Sequence, residues 1–404
     1  MAHALHAVSP SGSLRRIHAG GGILVLTGSV GHGHVRAAEA VAAALQGEAP
    51  DADVQVVDIL EVAPAPVRAL CRDLYVGMVQ HSPRMVGWLY RRTDRPGGGG
   101  LRRGLVHAAM GSVRRMVAAQ RPAVVVSSHF LATEVVAPLR RSALCGSLAS
   151  VVTDSDAHGL WIWPEVDRYF VAGAMAAERL ALAGVPGARV EESGIPIHPA
   201  FERLPPRPWA RQVLGVPDDR PLILFSTGGC CVGPVEAILR QLLLLPVAAQ
   251  LVVLCGKAKE ARERLTAVAA AAPRSRSIAV RVEGFTDRMH LWMCAADLMV
   301  GKPGGLTSAE CRAAGLPLII TNEIPGQEER NALQLLKEGA ARRCPDPAAL
   351  TEMIRGLFER PTELAALAGA ARRSAAPLAA RRIARWAAAQ LHLAAVQKSK
   401  RTPA

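Results

Sequence analysis

The sequence predicts an α/β protein made of two doubly wound halves, each a parallel sheet with helices on both faces, opposed across a cleft. Three observations carry this. Short, continuous apolar runs alternate with helical patterns along most of the 404 residues, as strands buried on both faces require. The rhythm breaks at about 194–220, where Pro196, Pro199, Pro205, Pro206, Pro208 and Pro217 give a linker composition. It then restarts with the strand, glycine turn and helix that also open the first half.

The elements follow in order. Residues 1–20 hold three His, two Arg and no apolar core; they read as a flexible N-terminus and not a secretory signal. Run 22–27 (GILVLT) is the first strand. It ends in Gly28-Ser29-Val30-Gly31-His32-Gly33-His34, and an Ala-rich helix follows to about 46. Apolar runs at 54–57, 123–126, 148–152 and 169–171 supply further strands. In the second half, 221–227 (PLILFST) runs into Gly228-Gly229, and strands follow at 251–254, 278–282, 298–300 and 317–320. The Ala-rich stretch 361–396 reads as helical and 397–404 as a frayed tail. The expected domains are therefore 21–195 and 221–360, joined by the Pro-rich linker 196–220 and followed by C-terminal helices and tail at 361–404.

Half the residues are hydrophobic and a fifth are charged, a globular composition. The net charge of +14 calls for an anionic partner: nucleic acid, an acidic membrane or a phosphorylated ligand. Aromatics at 4% argue against base stacking, and no nucleic-acid-binding signature is present, so nucleic acid is set aside. The eight cysteines show no C-x-x-C spacing and read as reduced core residues, not zinc ligands. The most apolar long window, 242–255, is broken by Pro246 and Gln250 and is too short to cross a bilayer. The expectation is a cytoplasmic protein whose membrane contact is peripheral.

Four loops carry candidate chemistry. Each alone also reads as an ordinary strand-to-helix turn. Gly31-His32-Gly33-His34 places His34 at a helix start, where glycines permit close backbone approach and the helix end favours anions. Gly228 and Gly229 could hold a phosphate against their amides. The stretch 302–310, with Gly304, Gly305 and Thr307, suits a diphosphate. Glu310, one turn on, can accept two hydrogen bonds from vicinal ribose hydroxyls. The stretch 324–331 offers Gln327 and Glu328 to read sugar hydroxyls. Separately, residues 84–121 hold nine arginines against one aspartate. Arg84, Arg91, Arg92, Arg102, Arg103, Arg114 and Arg115 lie beside Trp88, Leu89 and Tyr90, with the flexible run 97–100 between them. That mixture suits docking on anionic lipid headgroups, although a solvated Arg-rich helix pair has the same composition.

The segments TGSVGHGHVRAAEA (27–40), VVTDSDAHGLWIWPEVDRYFVAG (151–173), ESGIPIHPAF (192–201), GFTDRMHLWMCAADLMVGKPGG (284–305) and IPGQEERNA (324–332) together resemble the family 28 glycosyltransferases. They most resemble the bacterial processive diacylglycerol glucosyltransferases and the plant monogalactosyldiacylglycerol synthases. The resemblance covers about 22–345. It implies the GT-B fold, two Rossmann-like domains facing a cleft, with the first domain facing acceptor and membrane and the second binding a UDP-sugar. It implies that His34 is the general base or organises it; Asp154 then either orients His34 or the acceptor hydroxyl, as a base needs an orienting partner, or caps the end of a strand. Thr153, Asp154 and His158 would border the acceptor side. Gly228, Gly229, Gly304, Gly305 and Thr307 would hold the diphosphate, with Gly284 and Phe285 near uracil, Glu310 on ribose, and Gln327 and Glu328 on the sugar. The KPGG form at 302–305 looks more like the bacterial enzymes, which favours glucose over galactose. Diacylglycerol or a related lipid is the implied acceptor.

Asp154-Ser155-Asp156 spells D-x-D, a metal signature in a different glycosyltransferase fold. Here it is expected to lie away from the donor loops. Helix ends and the basic background can stabilise a departing diphosphate, so no metal is expected. Two other functions fit the same loops: a family 28 relative with another acceptor, such as a polyprenyl-linked peptidoglycan precursor, and a non-catalytic nucleotide-sugar sensor at the membrane.

Overall fold

The computed structural model describes residues 21–96, 99–229, 231–272 and 278–401. The expected flexible N-terminus 1–20, part of the glycine run at 97–98, and 402–404 lie outside them. Two six-stranded sheets, every strand pairing parallel, form the two halves. In the first, β1 (Ile23–Thr27), β2 (Val54–Asp58), β3 (Val124–Ser127), β4 (Ser147–Val151), β5 (Arg168–Val171) and β6 (Val190–Glu192) take the order β2-β1-β3-β4-β5-β6. In the second, β7 (Leu222–Ser226), β8 (Ala249–Leu254), β9 (Ile278–Glu283), β10 (Leu298–Gly301), β11 (Leu318–Ile320) and β12 (Ala341–Arg343) run β12-β11-β10-β7-β8-β9.

The central strands are apolar at every position because both faces are covered. Leu24 and Leu26 face one side of the first sheet, while Ile23 and Val25 face the other. The second side is closed partly by the chain's own end. Ile383, Ala384 and Ala387, on the final helix Ala379–Arg401, pack with Ala38, Val41 and Leu45 of helix His32–Glu48. The last helix thus lies on the first half, and it stays helical through Arg401 where the sequence suggested fraying. Small alanines on both helices permit this close packing.

Two crossing points place the chemistry. Strand order reverses at β1/β3 in the first sheet and at β7/β10 in the second, and ligands in doubly wound sheets bind at such reversals, beyond the strands' carboxyl ends. The Gly31–His34 turn follows β1; Gly228-Gly229 follows β7; the Lys302–Gly305 turn follows β10.

The sequence reading missed two strands, β6 (VEE) and β12 (ARR). Each has three residues and sits at a sheet edge, where charge is tolerated and no apolar run is needed. The Pro-rich linker also contains a short helix, Arg207–Leu214, that buries Ala210, Arg211 and Leu214.

Candidate active site

His34 lies in the first turn of helix His32–Glu48. Its Nδ1 is 2.9 Å from the Ser128 carbonyl oxygen and 2.8 Å from Thr153 Oγ1. A carbonyl can only accept, so Nδ1 carries the hydrogen and Nε2 keeps its lone pair. Ser128 Oγ in turn donates to the His34 backbone carbonyl at 3.0 Å, which locks the helix start to the end of β3. Burial pushes the His34 pKa below its usual value, against the opposing pull of Asp154 and the Ser128 carbonyl. The ring is therefore a neutral imidazole at neutral pH, with one basic nitrogen. A second buried histidine, His129, meets it edge-on at 4.5 Å, and a Cβ on Gly28 would touch the His129 ring at 3.0 Å. His129 accepts the Leu131 N–H through Nδ1 at 3.2 Å and caps its helix. Burial and the neighbouring His34 hold it well below the usual imidazole range. The sequence reading did not single it out, since its position after β3 carries no local signature.

The second domain meets this corner directly. A Cβ on Gly305, the first residue of helix Gly305–Ala314, would come within 1.9 Å of the Thr153 carbonyl oxygen and 3.3 Å of Asp154 Oδ1. Only glycine permits that approach. Likewise, a Cβ on Gly229 would lie 2.4 Å from His32 Nδ1. The glycine turns of the two halves are thus packed against one another.

Asp154 and Asp156 are also drawn into this contact, contrary to the expectation that they lie away from the donor loops. Asn331, fully buried on helix Gln327–Glu338, donates through Nδ2 to Asp154 Oδ1 at 3.1 Å and accepts the Ser155 N–H at 2.7 Å. Arg330 reaches Asp156 at 3.7 Å. Burial raises both carboxyl pKa values; His34 and Asn331 oppose this at Asp154, and Arg330 and Arg179 at Asp156. Asp154 thus acts on His34 through its charge, while the hydrogen bonds that fix the ring come from Ser128 and Thr153. Among the described residues, no group of three or more His, Cys, Asp or Glu could hold a metal ion.

The remaining second-domain residues line the same region. Gly228 has φ +74, a left-handed conformation that glycine adopts freely, and its missing side chain lets Lys302 Cε approach to 3.3 Å of an added Cβ. Gly284 leads into Phe285, whose exposed ring has Arg36 at 5.4 Å and Lys257 at 5.3 Å. Arg36 comes from the first half, one helical turn from His32. Glu310 is buried, and burial raises its pKa to about 8, opposed by Arg36. Thr307 lies in the first turn of helix Gly305–Ala314, near Gly304. Gln327 opens its helix, and Glu328 Oε2 accepts the Ile324 N–H at 2.7 Å.

His158 has both ring nitrogens engaged: Nε2 donates to the Tyr90 carbonyl at 2.8 Å and Nδ1 accepts the Leu160 N–H at 3.2 Å. It pins helix Pro83–Thr93 to the first domain. Asp94 adds a second pin, accepting from the Gly159 N–H and Arg179; burial raises its pKa, but these two partners more than offset it.

The arginines of 84–121 separate into two groups. On helix Pro83–Thr93, Arg84, Arg91 and Arg92 are exposed beside Met85, Trp88 and Leu89, which are 50%, 57% and 40% exposed. Arg102 instead grips Glu134, whose side chain is fully buried, through both guanidinium nitrogens at 2.6–2.8 Å. Arg103 lies over the Trp163 ring at 4.9 Å. Arg114 is half-buried and Arg115 exposed. Arg102 is thus tied into the domain by a buried carboxylate, whereas Arg103 stays exposed over the Trp163 ring. Among the described residues, no helix is long and apolar enough to cross a membrane.

Comparison with known proteins extends the geometry. Residues 34–197 match the family model of monogalactosyldiacylglycerol (MGDG) synthase, and residues 232–383 that of the glycosyltransferase family 28 C-terminal domain. A Nicotiana tabacum protein named "Probable monogalactosyldiacylglycerol synthase, chloroplastic" is 30% identical over 381 residues, 88% of this chain and 68% of its own. The spinach (Spinacia oleracea) chloroplast monogalactosyldiacylglycerol synthase is 29% identical over 361 residues, 83% of this chain and 66% of its own. The processive diacylglycerol beta-glucosyltransferase of Staphylococcus saprophyticus is 27% identical over 352 residues, 85% of this chain and 86% of its own. The chain therefore spans about two thirds of the plant relatives' length and more of the bacterial one. In fold, it is similar to MurG of Acinetobacter baumannii, with TM-score 0.59 at 19% identity over 90% of this chain and 98% of that one. UDP-GlcNAc 2-epimerase of Neisseria meningitidis, solved bound to UDP-GlcNAc, gives TM-score 0.58 at 12% identity over 89% and 98%. Both have the two-domain architecture described above.

Proposed function

Because this chain belongs to the diacylglycerol glycosyltransferases of glycosyltransferase family 28, we propose that it transfers a hexose, glucose in the first instance, from a UDP-sugar to diacylglycerol or a related membrane lipid. The observation that carries the reading is the corner shared by His34, Thr153 and Gly305. Thr153 meets the base nitrogen's partner, Nδ1, through its hydroxyl and abuts the donor-side helix start through its carbonyl. A neutral base and a phosphate-binding turn are thus one residue apart.

In this reading, His34 Nε2 removes the acceptor hydroxyl's proton as that oxygen attacks the anomeric carbon from the face opposite UDP, which inverts the centre. Amides at Gly228, Gly229, Gly304 and Gly305, with the Thr307 hydroxyl, hold the diphosphate. Phe285 and the Gly284 backbone border uracil, Glu310 takes the ribose hydroxyls, and Gln327 and Glu328 take the sugar's. Asp154 sustains the basicity of His34. The first domain serves the acceptor and the second the donor. Departing charge is met by fixed dipoles and cations, without a metal. The exposed Met85, Trp88 and Leu89 among Arg84, Arg91 and Arg92 support peripheral docking on an anionic membrane, through which the lipid reaches the cleft.

The test is turnover on anionic liposomes containing diacylglycerol, offered UDP-glucose, UDP-galactose or UDP-N-acetylglucosamine with EDTA present. UDP release together with a new glucolipid is expected. UDP release without glycolipid would discard the lipid acceptor. UDP-sugar binding without release from any donor would favour the sensor.

A further inference from the structure

Lys302 is a cation of the second domain that the donor-site assignments leave unused. Lys302 follows β10 and sits at the reversal point of the second sheet. Its side chain is only 15% exposed. Its Nζ lies 3.7 Å from Glu328 Oε1, longer than the 2.7–2.9 Å of a charge-assisted hydrogen bond. Glu328 is buried, and its other oxygen already takes the Ile324 N–H. On its other side, Lys302 Nζ is 3.8 Å from where a Gly228 Cβ would stand. The ammonium therefore stands between the Gly228 turn and the carboxylate at the start of helix Gln327–Glu338, paired with that carboxylate at ion-pair distance. An ammonium has three donors, and a desolvated cation paired at that distance is a strong attractor for added negative charge.

We propose that Lys302 carries the charge of the departing diphosphate, with Glu328 as its partner in the empty enzyme and the sugar as Glu328's partner once the donor binds. The assignment rests on the family 28 reading above. The bond between the anomeric carbon and the β-phosphate oxygen breaks, and its electron pair stays on that oxygen. The acceptor oxygen bonds to the anomeric carbon, and its proton goes to His34 Nε2. UDP leaves with one more negative charge than it had as an ester, so an ammonium at the Gly228 turn binds the transition state more tightly than the ground state. Drawing Lys302 onto phosphate also releases a Glu328 oxygen to accept from a sugar hydroxyl. Burial raises the Glu328 pKa and Lys302 opposes this, so the two groups are already coupled before donor arrives.

The experiment compares wild type, Lys302→Met, Lys302→Arg and Glu328→Gln in equilibrium binding of UDP and of uridine, and in transfer from UDP-glucose to diacylglycerol in liposomes. Lys302→Met should bind uridine within about twofold of wild type, lose at least tenfold for UDP, and lose on the order of a hundredfold in kcat. Lys302→Arg should recover part of both losses. Glu328→Gln should bind UDP as well as wild type or better, since it removes a competing carboxylate, while transfer falls. Equal changes for UDP and uridine, or unchanged kcat in Lys302→Met, would overturn the assignment. Weakened UDP binding in Glu328→Gln would overturn the partner exchange, and this variant decides the matter even if Lys302→Met fails to fold. Wild-type protein that binds neither UDP nor uridine would instead overturn the donor reading itself.

Discussion

Gly87 lies against Pro325 so closely that a Cβ on the glycine would stand 2.7 Å from the proline's. One turn along the same helix, the Tyr90 ring covers Gly326 at 2.6 Å from where its Cβ would be. Helix Pro83–Thr93 therefore presents Met85, Trp88 and Leu89 outward while its inner face backs the loop that leads into Gln327 and Glu328. The surface suited to lipid and the loop suited to sugar are the two faces of one helix.

Gly87→Val tests that contact. The added methyls have no room against Pro325, so the helix must move off the loop. Transfer to diacylglycerol in liposomes should fall at least tenfold, while liposome sedimentation, which depends on the outward face, stays within twofold. Equal loss of both would mean that the substitution unfolds the helix and does not merely separate it from the loop.

His34 should behave as a neutral base. His34→Ala is expected to lose roughly 10²–10⁴-fold in turnover with UDP binding intact. Because burial lowers the imidazole pKa, the acid limb of kcat/KM should lie below the usual ~6.5. Asp154 pulls that pKa up, so Asp154→Asn should move the limb to still lower pH. A limb that stays fixed in Asp154→Asn would remove Asp154 from any part in tuning the base.

Much of this was legible because its physics is local. GILVLT and PLILFST announce strands because a strand buried on both faces has no polar position to spare. The glycine turns are visible for the same reason that they work: no other residue fits Gly305 against the Thr153 backbone, and a side chain at Gly229 would have to displace the His32 ring. Asn331 and Lys302 were not singled out. Both lie in stretches that the sequence marks, 302–310 and 324–331, but their own roles follow from chain segments 26 and 177 residues away meeting them. Arg102 was grouped with the membrane patch because a run of arginines looks uniform in sequence, whereas only the fold brings Glu134 beneath one of them.

That separation of the arginines can be measured. Arg91→Ala with Arg92→Ala should weaken binding to anionic liposomes by about 2 kcal/mol, roughly thirtyfold, at ~1 kcal/mol per cation near the surface. The loss should shrink as salt is raised. Arg102→Ala should leave liposome binding within about twofold and instead lower Tm, since it strands the Glu134 carboxylate, at a cost on the order of 3 kcal/mol. If Arg102→Ala weakens liposome binding as much as the pair without loss of stability, Arg102 belongs to the docking surface.

Glu310 offers a prediction in which stability and binding move in opposite directions. Burial raises its pKa to about 8, with Arg36 opposing, whereas an unfolded chain titrates near 4.5. Between those values the folded protein holds a proton that the unfolded chain has released. Stability therefore falls as pH rises from about 4.5 through 8. Glu310→Gln has no proton to lose and escapes this cost. Its Tm should match wild type near pH 4.5 and exceed it increasingly towards pH 8.5, with ligand absent. The same substitution turns one of the two oxygens offered to the ribose hydroxyls into an NH2 donor, so UDP affinity should drop at least tenfold even as the protein becomes harder to melt. A Tm difference that does not change with pH would show that the carboxyl is not held protonated by its surroundings. Retained UDP affinity would show that the ribose is bound elsewhere.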